Sequence, residues 1–224
     1  MSSHKPRAIV SWSSGKDSAF SLHVVRQAAE LDVIALFTTV NRVHDRVAMH
    51  AVRRELLRAQ AASAGLPLWE VEIPSPCSNE EYEAAMRGLC ERAVAAGVEQ
   101  VVFGDLFLED IRRYREERLR GTGLSPCFPL WGLGTQQLAL RMQREGLSAI
   151  VTCIDPNKLP ASFAGRTWDA AFLADLPAGV DPCGENGEFH SFVTHGPMLR
   201  QPLNVRVGEV VQRDGFVFAD VLSG

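Results

Sequence analysis

The sequence predicts an α/β protein: a parallel sheet with helices on both faces, followed by a smaller C-terminal α+β lobe. Two observations point to the sheet. Short, nearly unbroken apolar runs, as in strands covered on both sides, occur through the first half of the chain. Stretches of helical periodicity separate them, and strand then helix, repeated, reads as parallel strands joined by crossovers. A third observation marks the lobe: eight of the twelve prolines fall after residue 125, where the alternation stops. The expected division is a sheet-bearing half at residues 1–125 and a smaller lobe at residues 126–224.

The elements follow in order. Arg7 to Trp12 is a short apolar strand candidate, and Val33 to Val40 a second. Between them Phe20, Val24, Ala28 and Leu31 recur at spacings of four, four and three, one stripe of an amphipathic helix. Met49, Val52, Leu56 and Ala59 repeat that pattern until Gly65-Leu66-Pro67 stops it. Leu68 to Ile73 is a third strand, broken by Pro74-Ser75-Pro76. Tyr82, Met86, Leu89, Ala93 and Ala96 mark a third helix, which ends at Gly97 before a strand at Gln100 to Gly104. In the proline-rich half, Ala149 to Ile154 is one more strand. Leu203 to Val211 and Phe216 to Val221, around Asp214-Gly215, read as a β-hairpin.

Composition narrows the class. At 224 residues, with 46% hydrophobic and 22% charged residues, the chain is ordinary for a globular protein. A chain of this length buries roughly 70% of its unfolded surface and needs no disulfide or metal staple. The net charge of −4 argues against a duplex-DNA binder. No apolar run is long enough to span a bilayer, and no signal-like segment precedes the first strand candidate. Five scattered cysteines without a CxxC pair fit reduced thiols, so a cytoplasmic protein is expected.

The most informative segment is Ser11-Trp12-Ser13-Ser14-Gly15-Lys16-Asp17-Ser18, where the first strand gives way to the first helix. A helix N-terminus offers unpaired N–H groups and a partial positive charge, which suit a phosphate. Ser13, Ser14 and Ser18 add hydroxyls, Gly15 permits close approach, and Lys16 adds a mobile cation. An ordinary serine N-cap is the bland alternative. A Walker A loop is excluded, because Val10 stands where its first glycine belongs. A dinucleotide fingerprint fails as well, since Gly132-Leu133-Gly134 reaches Gln137 at its third glycine.

SSGKDS resembles the SGGxDS pyrophosphate loop of the N-type ATP pyrophosphatases, with Ser14 replacing a glycine. Those enzymes cleave ATP between its α and β phosphates. Further stretches narrow the resemblance to the diphthine–ammonia ligase family and its stand-alone relatives. They are LFTTVN with RVAMHAVRRELLRAQAASAGLPL; VVFGDLFLEDIRRYREERLRGTGLSPCFPLW; and DPCGENGEFHSFV. The resemblance implies that backbone around Phe37 and Thr38 holds the adenine, although a buried strand end is an equal reading. Arg46 and His50, four residues apart on one helix face, could meet a phosphate or a substrate carboxylate. Gly104-Asp105 closes the fourth strand; the glycine would admit nucleotide, and the aspartate would hold Mg²⁺ or a ribose hydroxyl. Asp17 is a second candidate for Mg²⁺. Most of the charged run from Glu109 to Arg120 is a solvated face, and the resemblance singles out Arg113 for nucleotide and Glu116 for substrate.

Asp181 to His190 is the second strong signal. Glycines bracket Glu185, and in an extended chain Glu188 and His190 share one face. The segment resembles the family's GEGGE-like stretch, which is implied to face the acceptor, with Asn186 in place of one glycine. Pro182-Cys183 matches half of a zinc-deaminase signature, but the second cysteine is missing.

The resulting expectation is a ligase that uses ATP and Mg²⁺ to activate a carboxylate, on a protein side chain or a small molecule, as an acyl-adenylate. Ammonia then gives the amide and releases AMP. Lys16, Asp105, Glu185, Glu188 and His190 are the catalytic candidates, and a homodimer is a further expectation. The alternatives are a tRNA-modifying enzyme of the thiolation or lysidine type, which the net charge and absent cysteine pairs disfavour, and a non-catalytic nucleotide-binding regulator.

Overall fold

The computed structural model describes residues 5–41 and 52–224, and residues 46–47 by their backbone. The elements run β1 (Arg7–Ser11), α1 (Lys16–Ala28), β2 (Asp32–Asn41), β3 (Arg46–Val47), α2 (Arg54–Ala64), β4 (Leu68–Ile73), α3 (Asn79–Ala95) and β5 (Val98–Val102). They continue with α4 (Glu109–Leu119), β6 (Ser125–Cys127), α5 (Thr135–Arg144), β7 (Ser148–Ile154), a 3₁₀ turn at Ala161–Phe163, α6 (Ala170–Asp175), β8 (Phe189–His195), β9 (Val205–Arg213) and β10 (Phe216–Ser223).

Five parallel strands stand in the order β4-β2-β1-β5-β6, and β3 joins the end of β2 antiparallel. The chain first builds outward from β1 through β2 to β4. It then returns to the other side of β1 with β5 and β6. The direction of winding therefore reverses between β1 and β5, and the crevice at the carboxyl ends of these two strands is where open α/β sheets take ligands. Strand periodicity sorts the side chains between two apolar layers. Ala8, Val10, Leu36 and Val102 face α1, α2 and the C-terminal half, whereas Ile9, Ala35, Phe37, Val101 and Phe103 face α3 and α4. Helices on both faces of a parallel sheet are thus observed.

The C-terminal lobe is a four-stranded antiparallel sheet, β8-β7-β10-β9. Its buried residues Phe192, Val193, Val217 and Val221 belong to the same apolar core as α1. Helix α1 is therefore buried on more than the expected stripe: Ala19, Phe20, Ser21 and Leu22 are all fully covered.

Several boundaries differ from expectation. Helix α2 begins at Arg54, so Val52 precedes it, and the buried face is Leu56, Leu57, Gln60, Ala61 and Ala64 rather than a stripe through Ala59. Met49 lies outside the described residues. Strand β5 starts at Val98 and ends at Val102, leaving Gly104 and Asp105 in the loop beyond it. Helix α5 escaped the sequence reading; it buries Leu138, Ala139 and Met142. Among the described residues no helix is long and apolar enough to cross a membrane.

Candidate active site

The loop between β1 and α1 is held on three sides. Ser14 adopts φ 69°, a left-handed conformation that costs a non-glycine residue on the order of 1 kcal/mol. This is the position where the pyrophosphate loop ordinarily carries glycine. Ser14 stays there because its carbonyl accepts from the amide of Val193 in β8 at 3.0 Å and from Nε2 of Gln60 in α2 at 3.1 Å. Within the loop, the Ser13 and Ser18 hydroxyls lie 3.0 Å apart, and the Ser18 hydroxyl donates to the Gly15 carbonyl. Gly15 caps α1 through its backbone. Gly104 presses on this turn from the other side. A Cβ there would sit 2.9 Å from the backbone of Asp17 and Ser18, so its small size admits the first turn of α1 rather than a nucleotide directly.

A cleft of about 300 Å³ opens at the reversal point. Ser11, Ser13, Asp17 and Ser18 line it from the end of β1, the loop and the first turn of α1, Gly104 and Asp105 from the loop after β5, and Arg115 from α4. Glu185 and His190 line it from the C-terminal lobe. Segments 87 residues apart in the chain, Ser18 and Asp105, and a third some 80 residues further on thus share one space.

The groups within it are electrostatically distinct. Glu185 Oε1 accepts the amide of Leu106 at 2.7 Å, which ties the C-terminal segment across the loop after β5. Burial pushes its carboxyl up to about 7, against the pull of that hydrogen bond, and the charge of Asp17 adds to the rise. Burial and the nearby Lys16 charge hold His190 down at about 4, so its ring is neutral near pH 7. Burial also raises Asp105, opposed by Arg115. Asp17 Oδ1 and Asp105 Oδ2 are buried without a hydrogen-bond partner among the described residues. Two such oxygens in one cleft fit a divalent cation, since Mg²⁺ characteristically takes one or two carboxylates and completes its shell with phosphate oxygens and water.

Other expected residues fall elsewhere. Lys16 is not a mobile cation: it is 2% exposed, and its Nζ donates to Asp17 Oδ2 at 2.9 Å and to the Cys183 carbonyl. The rings of Trp168 and Phe189 flank it. Burial alone would lower its pKa, but the charge and hydrogen bond of Asp17 outweigh that and keep it protonated. As the first residue of α1 it points into the C-terminal lobe, where it fastens the 181–188 segment to the loop. Glu188 stands one residue before β8 and does not line the cleft that His190 lines. It is 3% exposed and accepts from the Asp181 amide and Asn186 Nδ2, both at 3.1 Å, bracing that turn from inside.

Phe37 and Thr38 are buried in the centre of the sheet, and the Phe37 carbonyl already accepts the Trp12 amide at 2.7 Å. Arg113 is exposed, and Glu116 pairs with Arg112 at 2.8 Å on the outer side of α4. Arg115, two positions from Arg113 and so on another face of the helix, is the arginine that reaches the cleft. Arg46 lies in β3 rather than at a helix start, and His50 is outside the described residues.

Sequence reasoning missed Arg115 and Gln60. A polar residue within an otherwise apolar helix stripe was the available signal for Gln60. A charged run without an apolar stripe offered none for Arg115.

Comparison with known proteins identifies the family. Residues 6–126 match the family model of the diphthamide synthase N-terminal domain, and residues 135–219 match that of the diphthamide synthase C-terminal domain. Proteins named diphthine–ammonia ligase are similar over most of the chain. The Bos taurus protein is 26% identical over 93% of this chain and 86% of its own length. The Danio rerio protein is 26% identical over 93% and 90%. The Homo sapiens protein is 26% identical over 80% and 68%. With both family domains matched in order along one polypeptide, the chain belongs to the diphthamide synthase family.

Proposed function

We propose that this chain is an ATP-dependent ligase that amidates a carboxylate with ammonia by way of an acyl-adenylate. The observation that carries the reading is that the serine-rich loop, Glu185 and two carboxylates with buried oxygens that accept no hydrogen bond among the described residues line a single cleft. The names of the similar proteins support ATP and ammonia as co-substrates.

Each group then has a task. The Ser13 and Ser18 hydroxyls and the first-turn amides of α1 face the departing pyrophosphate, where fixed donors offset developing charge without reorganising. Asp17 and Asp105 would hold Mg²⁺, which neutralises charge on the phosphates when bound. An acceptor carboxylate oxygen attacks the α-phosphorus, the α–β bridging bond breaks, and pyrophosphate leaves. Ammonia attacks the acyl carbon next, the acyl C–O bond breaks, and AMP departs carrying the former carboxylate oxygen and the electron pair of that bond. Ammonium must first lose a proton, and Glu185, poised near neutrality, is the base in reach of the cleft. Lys16 and Glu188 act as positioning residues, holding the turn that carries Glu185. A cytoplasmic setting, where thiols stay reduced, accords with five free cysteines.

Incubation with ATP, ammonium and a cell extract, followed by mass spectrometry, tests the reading. AMP, pyrophosphate and a product lighter by the mass difference between a carboxylic acid and its amide are expected. ADP and phosphate as the main products would overturn it.

A further inference from the structure

A second, larger cavity of about 670 Å³ lies on the far side of the cleft wall, between α3 and α4. Its volume is in the range of small-molecule sites. Met86, Cys90 and Val94 recur every four residues along α3 and present one apolar stripe to it. This stripe stays half-covered, with Val94 45% exposed, because α4 offers mostly charged residues and buries only Leu119. One pair closes an edge: Arg118 reaches across from α4 to Glu83 of α3 at 2.7 Å.

The two spaces share two lining residues, Phe103 and Arg115. The Arg115 guanidinium lies over the Phe103 ring at 4.8 Å and faces Asp105 Oδ2 at 3.5 Å. That distance is too long for a good hydrogen bond, and Arg115 Nε is buried without a hydrogen-bond partner among the described residues. Arg87, Arg115, Arg118 and Arg120 line the cavity against Glu83 and Glu91, a balance of 4 − 2 = +2 in a chain whose net charge is −4. An apolar stripe, an excess of arginine and an under-bonded guanidinium at the cleft wall together favour a ligand with an apolar body and an anionic end.

We propose that this cavity is the acceptor subsite and that the acceptor is a small carboxylic acid with an apolar body. The body lies along Met86, Cys90 and Val94, and Arg115 draws the carboxylate toward the nucleotide cleft. The inference rests on the ligase reading, which it deepens by naming the substrate class.

Calorimetric titration with 4-phenylbutyrate and its neutral amide, in the presence of AMP, tests it. The acid is expected to bind at least about tenfold more tightly than the amide, the scale of a charge-assisted hydrogen bond. Arg115→Met should erase that difference. Val94→Trp, at an exposed position, should fill the cavity and abolish binding of the acid while ATP affinity stays within about twofold. Equal binding of acid and amide, or wild-type binding of the acid by Val94→Trp, would overturn the subsite. Neither result bears on the ligase reading, which stands or falls on the release of AMP and pyrophosphate.

Discussion

Gln60 and Ser14 are joined by a hydrogen bond of 3.1 Å between a fully buried side-chain amide and the carbonyl of a left-handed residue. The same amide nitrogen donates to the Val193 carbonyl at 2.7 Å, and Gln60 Oε1 accepts from Trp12 Nε1 at 2.7 Å. One side chain of α2 thereby links both Trp12, just after β1, and Ser14 of the phosphate-type loop to the C-terminal sheet. Gln60→Leu would bury the Trp12 indole N–H without its acceptor and take one hydrogen bond each from the Val193 and Ser14 carbonyls, the latter keeping only the Val193 amide, at a cost of roughly 2–4 kcal/mol. Urea denaturation should show that loss, with ATP affinity falling in step. A variant as stable as wild type would mean that the loop is held by other contacts.

Ser14→Gly relieves the left-handed strain and removes a buried hydroxyl that has no hydrogen-bond partner among the described residues, while giving the unfolded chain more freedom. These effects nearly cancel. The expected outcome is a stability change between zero and about +1 kcal/mol with turnover retained. A loss of turnover in a protein that melts normally would show that the Ser14 hydroxyl has a role in the reaction.

Lys16→Met separates a buried clamp from a phosphate contact. The substitution keeps an apolar stem but leaves Asp17 and the Cys183 carbonyl without their cation. Breaking one side of a buried pair should cost on the order of 3 kcal/mol even without nucleotide. A thermal melt of the free protein checks this. An unchanged melting temperature with lost turnover would instead place Lys16 on the nucleotide.

Glu185 gives a pH signature. With its carboxyl near 7, the ionised base is formed as pH rises from 6 to 8, and the rate should climb through that window. Stability runs the other way. A carboxyl raised in the folded protein contributes stability that is complete below its ordinary value near 4.5 and is lost as pH passes through about 7. Glu185→Gln should therefore flatten the rate profile and gain stability relative to wild type between pH 4.5 and 8. Rate profiles and melting curves over that range, recorded for both proteins, decide the matter; parallel curves would remove Glu185 as the titrating group.

His190 reports the opposite sign. Its ring is held near 4 in the folded protein, so its contribution is present above the ordinary histidine value of 6.5 and is lost as pH falls toward 4. His190→Asn should melt less steeply with acid than wild type. Identical acid dependence would mean that another group governs that limb.

Local periodicity carried much of the architecture. The strand runs of Val33 to Val40 and Leu68 to Ile73, the helix ending at Gly97 and the hairpin around Asp214-Gly215 all show in local patterns of residue type, and such patterns are readable without a fold even where the strands pair with distant segments. The SSGKDS loop was legible for the same reason, since a strand–helix junction and its turn chemistry are local. The directions of single side chains were not. Lys16 and Asp17 are neighbours in sequence, yet one enters a lobe 167 residues away and the other lines the cleft. Arg113 and Arg115 sit on different faces of a helix with no apolar stripe to set its phase, so only the packing of α4 beside Phe103 chose between them. Glu185 and Glu188 part in the same way: one reaches the Leu106 amide at the cleft, and the other turns inward to Asp181 and Asn186. By itself the sequence determined which elements form and where the phosphate-type turn lies. The tertiary structure decided which charges face the cleft, because that depends on burial and partners supplied from distant segments.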